Sequence, residues 1–205
     1  MTWLNWPNRI TIARILLVVP LMICLLNMNS EWTGARHAGL VLFVVMAISD
    51  GLDGFLARRL KEETPLGRFL DPVADKLLIV TTVVLLAIDG TGVPGFILPN
   101  WVPVIIVGKD VLVVLGFVLV YLSCGQVLIE PRILGKACTL VQLVTVAVIL
   151  LAPDLPLVLQ SVVPALWWVA AGVAVFTGVD YMRAGVHFVA DHQATSRKHE
   201  GGFDE

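Results

Sequence analysis

An all-α, polytopic membrane fold is what this chain predicts, and three observations predict it. Of its 205 residues, 58% are hydrophobic and only 15% are charged, where soluble domains carry about a quarter. The mean hydropathy is +0.88. Apolar runs close to the ~20 residues needed to cross a bilayer recur six times, near residues 8–28, 35–57, 70–89, 99–122, 133–152 and 159–182.

The first run follows Met1-Thr-Trp-Leu-Asn-Trp-Pro. That opening lacks the basic start and small-residue cleavage site of a signal peptide; Trp3 and Trp6 read as interface anchors. The second run ends in the acidic segment Asp50-Gly-Leu-Asp53-Gly54. The third opens at Thr64-Pro65, with Thr as N-cap and Pro in the first turn, and carries Pro72, tolerated where helices line a cavity. The fourth contains Gly108-Lys109-Asp110, which on its own reads as a polar pair inside the bundle. The fifth begins beside Arg132 and Lys136, and the sixth ends at Arg183. The segments between runs hold breaker residues, as in Asp89-Gly-Thr-Gly-Val-Pro-Gly and Ala152-Pro-Asp-Leu-Pro. Residues 1–190 form one expected membrane domain, and 191–205 a polar tail expected to be disordered.

Lys and Arg placement sets the expected orientation. Arg9 and Arg14 open the first run. Arg58, Arg59, Lys61 and Arg68 flank the second connection, Arg132 and Lys136 the fourth, and Arg183, Arg197 and Lys198 follow the last run. The opposite loops carry only Arg36. Both termini, and the ends of the acid-bearing helices, are therefore expected on the cytoplasmic side of an inner membrane. A net charge of −2 gives no support for nucleic acid as a partner. Cys24, Cys124 and Cys138 have no CxxC spacing and read as small hydrophobes. Trp101, Trp167 and Trp168 fit interface or packing roles. His37, His187, His192 and His199 have no ligand spacing with the acids; His187, Asp191 and His192 share a helical spacing in the expected tail.

Four acids carry the chemistry. Asp50 and Asp53 are spaced i,i+3, and Asp71 and Asp75 i,i+4, so each pair shares one helix face. Acids at a bilayer are costly and mark function. Gly54 and Ala57 continue the Asp50–Asp53 stripe, leaving a groove beside the charge, although a membrane-helix glycine also serves plain packing. Carboxylates without His or Cys nearby favour Mg²⁺ or Mn²⁺, and four can hold two ions in a site suited to displacement at phosphorus. The alternative is that these acids pair with Arg58, Arg59, Arg68 and Lys76 at the interface. Two facing stripes with interleaved glycines argue against it.

The pattern D-x-x-D-G-x-x-A-R, then eight residues, then G-x-x-x-D-x-x-x-D is met by Asp50, Asp53, Gly54, Ala57, Arg58, Gly67, Asp71 and Asp75. It resembles the signature of the CDP-alcohol phosphatidyltransferase family. Asn8, Thr11 and Arg14 resemble that family's opening segment, and the six-span layout is similar. The resemblance implies transfer of a phosphatidyl group from CDP-diacylglycerol to an alcohol with release of CMP, a cytoplasmic-side polar cavity, and a homodimer. It also implies Asp50, Asp53, Asp71 and Asp75 as metal ligands, and Asp75 as general base as well. Gly54, Ala57, Arg58, Gly67, Asn8 and Thr11 would then bind the CDP donor. Arg132, Lys136 and Arg183 are candidates for holding an acceptor phosphate, or are positive-inside anchors. Pro7-Asn8 through Arg14 and Asp71-Pro-Val-Ala-Asp75-Lys76 resemble the members that use glycerol 3-phosphate, the favoured acceptor, or phosphatidylglycerol, which would give cardiolipin. Lys109-Asp110 departs from the Arg-Glu or Arg-Asp expected there and leaves the acceptor open. Two readings of other classes remain. A divalent-cation or proton transporter would spread its acids through the membrane depth in inverted repeats. A metal-dependent lipid-binding protein would not turn over.

Overall fold

The computed structural model describes the backbone of residues 6–29, 32, 34–60, 65–124 and 133–200. Side chains are described within these ranges except at 6–8, 52–60, 65–69, 71, 123–124, 133 and 191–200. Six long helices account for most of it: α1 Trp6–Leu26, α2 Ala35–Leu60, α3 Pro65–Ala87, α4 Trp101–Cys124, α5 Ile133–Leu151 and α7 Val163–Glu200. A 3₁₀ turn, Ala152–Asp154, and the single-turn α6, Leu157–Gln160, link α5 to α7. No strand occurs among the described residues.

The helices fall where the apolar runs place them, and proline sets several starts. Pro7, Pro65 and Pro164 lie in the first turns of α1, α3 and α7, where the missing N–H has no intrahelical acceptor to lose. α7 does not stop at residue 182. It runs through Glu200, past the expected domain limit at 190, in a stretch where Ala, Gln, Arg, Lys and Glu favour helix without needing an apolar face. Between α3 and α4 the chain turns at Gly90 and Gly95, whose φ angles of 93° and 80° are costly for residues with a Cβ. Asn29 donates from Nδ2 to the Gly90 carbonyl at 2.8 Å, tying this loop to the end of α1.

α1 packs against both α2 and α3, while α7 packs against α4 and α5. Among the described residues, α2 and α3 touch each other far less than each touches α1. The core joins Leu21, Leu25, Phe43, Met46, Ile79, Leu86, Ile106 and Ile149. Small residues bring helices close: Ala170, Ala171 and Ala174 of α7 are buried, and Gly39 of α2 sits against Cys24 of α1. Cys24 and Cys138 are buried free thiols.

The outside is as apolar as the inside. Leu122 is 74% exposed and Val104 70%, a distribution that water would penalise and lipid would not. Hydroxyls are returned to the backbone, with Thr82, Thr145 and Thr177 donating to the carbonyls of Leu78, Val141 and Val173 at 2.6–2.8 Å. Four stretches among the described residues are long and apolar enough to cross a membrane: Arg9–Leu26, Trp101–Leu122, Leu134–Asp154 and Leu157–Ala190. The acid-bearing α2 and α3 are not among the four. The molecule is thus an all-helical integral membrane protein.

At the α2 start, Arg36 makes a two-pronged ion pair with Asp154, at 2.8 and 2.7 Å, and donates to the Leu150 carbonyl. His37 Nε2 lies 3.2 Å from Asp154. The one cation expected on that side is therefore matched by an acid.

Candidate active site

The site forms where α1 lies across the acid-bearing turns of α2 and α3. Arg14 Nη1 donates to Asp50 Oδ1 at 2.5 Å and to Asp75 Oδ1 at 3.1 Å. A single nitrogen of α1 thereby joins one acid from each signature helix, so the two carboxylates face a common point. Arg14 is only 2% exposed, whereas the side chains of Asp50 and Asp75 are 34% and 31% exposed. The cation is buried, whereas about a third of each acid's side chain stays accessible. Thr11, one turn before Arg14, is also buried.

The alternative set aside above would pair Lys76 with the signature acids. In the structure Lys76 Nζ instead bonds Asp110 Oδ1 of α4 at 2.6 Å. Residues 75 and 76 are about 100° apart around the helix, so Lys76 cannot share the Asp71–Asp75 face. Lys109 Nζ meets the same Asp110 oxygen at 2.7 Å and approaches Cys138 Sγ of α5 at 3.9 Å. Gln142 Nε2 also donates to that sulfur, at 3.4 Å. Lys109-Asp110 is accordingly a polar pair inside the bundle, extended to a triad by Lys76.

α2 and α3 are continuous helices through residues 53 and 71, so Asp53 lies one turn beyond Asp50, and Asp71 one turn before Asp75. The side chains of Asp53, Gly54, Ala57, Arg58, Gly67, Asp71 and Asn8 lie outside the described residues, as does Arg132 altogether. Among the described residues no three His, Cys, Asp or Glu side chains gather into one group. Lys136 and Arg183 are exposed, and among the described residues neither has an ion-pair partner. The Tyr181 hydroxyl packs on Gly135, which sets the start of α5 level with the turn of α7 that carries Arg183. Arg183 lines a shallow apolar groove with Val179, Met182, Val186 and His187.

Sequence reasoning passed over Arg14 as a partner of the acids. Part of the signal was present: an arginine inside an apolar span needs a counter-charge, and the signature acids were candidates to supply it.

The fold and the Arg14–Asp50–Asp75 cluster define a membrane-embedded helical protein with a charged site between α1, α2 and α3. The family model for CDP-alcohol phosphatidyltransferases matches residues 4–184, and the chain belongs to that family. It is an enzyme of phospholipid synthesis. Similar proteins include the CDP-diacylglycerol--glycerol-3-phosphate 3-phosphatidyltransferase of Bacillus subtilis (strain 168), 35% identical over 86% of this chain and 93% of that protein. The cardiolipin synthase (CMP-forming) of Oryza sativa subsp. japonica is 33% identical over 88% of this chain and 57% of its own length. The probable phosphatidylglycerophosphate synthase of Mycobacterium tuberculosis (strain CDC 1551 / Oshkosh) is 30% identical over 94% of this chain and 87% of that protein.

Proposed function

We propose that this enzyme transfers the phosphatidyl group of CDP-diacylglycerol to sn-glycerol 3-phosphate, forming phosphatidylglycerophosphate and releasing CMP. The observation that carries the reading is the convergence of Asp50 and Asp75, from the two signature helices, on one point. The acceptor follows the names of the Bacillus and Mycobacterium relatives, each matched over most of its length. Phosphatidylglycerol, giving cardiolipin, is the second reading, favoured by the rice relative.

The donor set fits a hard divalent cation. Asp50 and Asp75 offer carboxylate oxygens and already hold a cationic nitrogen between them, so positive charge is favoured there. Asp50, Asp53, Asp71 and Asp75 would hold Mg²⁺ or Mn²⁺, two ions for four acids. Held by these acids, such ions would supply charge neutralisation for the diphosphate and the departing CMP. Asp75 accepts the proton of the acceptor hydroxyl as that oxygen bonds to the phosphatidyl phosphorus, and the P–O bond to CMP breaks. Asn8, Thr11, Gly54, Ala57, Arg58 and Gly67 line the cytidine-diphosphate pocket. Arg132, Lys136 and Arg183 hold the acceptor's phosphate; the free charges of the latter two suit that role.

All six long helices span the membrane in this reading, α2 and α3 with their acids at the cytoplasmic end, beside a polar cavity. Both termini lie in the cytoplasm of a cell with this protein in its inner membrane, residues 1–190 form the catalytic domain, and the enzyme works as a homodimer. The Lys and Arg count supports the orientation: Arg36 alone falls in the opposite connections, whereas the other side carries many.

The test is CMP release by the purified protein from CDP-diacylglycerol with a panel of acceptors, with and without metal. Release is expected with glycerol 3-phosphate, to vanish in excess chelator and to return with Mg²⁺ or Mn²⁺. Faster release with phosphatidylglycerol would move the enzyme to cardiolipin synthesis. No release with any acceptor would leave the transporter or lipid-binding readings.

A further inference from the structure

Arg14 is the most deeply buried charge among the described residues, and its position calls for explanation. A buried ion pair is weak support for stability, since apolar replacements of similar volume are often neutral or stabilising. An arginine within a membrane helix is also costly. Arg14 nonetheless bridges Asp50 of α2 and Asp75 of α3, two helices that make little contact with each other among the described residues.

Without a bridge, like charges on loosely apposed helices repel and draw apart. Arg14 opposes that. Its Nη1 binds one oxygen of each acid, and the carboxylates remain about one-third exposed. A cation arriving at their exposed part therefore meets two carboxylates already aimed at one point. We infer that Arg14 is a positioning residue for the metal site: by anchoring Asp50 and Asp75 from α1, it holds acids of two helices at the separation a divalent cation needs. The inference rests on the reading of Asp50 and Asp75 as metal ligands. It makes α1 part of the metal site although it contributes no ligand.

The experiment is a Mn²⁺ titration of the full-length protein in detergent or nanodiscs, followed by electron paramagnetic resonance without donor or acceptor, together with thermal melts in excess chelator. Partners that orient metal ligands typically contribute 10–100-fold to affinity, and Arg14→Gln is expected to weaken Mn²⁺ binding by about that factor. Arg14→Lys keeps the charge but not the planar fork and is expected to fall between the two. Wild-type or tighter Mn²⁺ affinity in folded Arg14→Gln, with only a lower melting temperature in chelator, would overturn the inference and leave Arg14 a structural counter-ion. Where the Gln variant cannot be recovered, wild-type affinity in Arg14→Lys does the same. Absence of Mn²⁺ binding by the wild-type protein would instead defeat the metal reading of the acids, a distinct result.

Discussion

Asp75 and Lys76 are neighbours in sequence, yet they serve two ionic clusters of opposite surplus. Around Asp75, one guanidinium faces two carboxylates among the described side chains, and two more signature acids lie a turn away on the same helices. Around Lys76, two ammonium groups share one carboxylate oxygen. The first cluster has acids to spare, with the Asp50 and Asp75 side chains about one-third exposed. The second is centred on Asp110 and Lys109, 16% and 9% exposed, with Lys109 against α5 and α7 and Lys76 reaching outward. An acid-rich cluster with accessible carboxylates attracts cations; a cation-rich triad joining neighbouring helices fastens them. The contrast separates a site that acts from one that holds, although both are buried charge in a membrane bundle.

The sharpest way to break this comparison is to neutralise one acid in each cluster. Asp75→Asn is expected to lower the turnover of inserted, folded enzyme by about 10²–10⁴-fold, the usual contribution of a general base, with a further loss where metal affinity falls. CDP-diacylglycerol should still bind measurably. A near wild-type rate would dismiss Asp75 as the base. Asp110→Asn should do the reverse. It leaves Lys109 without its ion-pair partner, and removing one member of a buried pair costs about 3–5 kcal/mol; the low end applies because the Lys76 side chain is 43% exposed. Thermal stability should fall while kcat per folded molecule and the metal requirement stay near wild type. A selective loss of kcat without a stability change would place the triad in the chemistry.

The two clusters were unequally legible. Asp50, Asp53, Asp71 and Asp75 stand out in the sequence because helical spacing is a local property, and the observed helices run through all four positions. Arg14 was visible as a charge in an apolar run but not as a partner, since its acids lie 36 and 61 residues away and only the packing of α1 across α2 and α3 brings them together. The pairing of Lys76 with the signature acids was weighed only as an alternative and set aside, and the step from residue 75 to 76 turns it off their face, but its partner Asp110 was not legible across 34 residues. The length of α7 escaped notice for another reason: hydropathy marks where a helix leaves lipid, whereas helix formers such as Ala, Gln and Lys carry it onward.

A smaller effect, on binding alone, is expected from the acceptor side. Lys136→Ala and Arg183→Ala should each raise the apparent KM for glycerol 3-phosphate and leave donor binding nearly unchanged. Hydrogen bonds to a charged group are worth roughly 1.5–3 kcal/mol, so one lost contact should weaken the acceptor by about ten- to a hundredfold. Unchanged KM together with scrambled topology in both variants would reduce these residues to membrane anchors and move a lipid acceptor ahead.

The smallest expected effect asks whether the two clusters are mechanically independent. Gly178 of α7 is the surface against which Lys109 lies: an added Cβ would sit 3.1 Å from Lys109 Cγ. That is tight but not prohibitive, and the lysine stem has limited freedom because its ammonium is held by Asp110 at 2.7 Å. Overpacking of this kind costs about 1–3 kcal/mol, and replacing a mid-helix glycine by alanine returns about 0.5–1 kcal/mol. Gly178→Ala should therefore destabilise by about 1 kcal/mol. It should leave the concentration of Mn²⁺ needed for half-maximal activity unchanged, because nothing in the Lys76–Asp110–Lys109 triad touches the oxygens held by Arg14. If the metal requirement rises along with the loss of stability, strain is passing from the triad through the Asp75–Lys76 step of α3, and the division into a site that acts and a site that holds would fail.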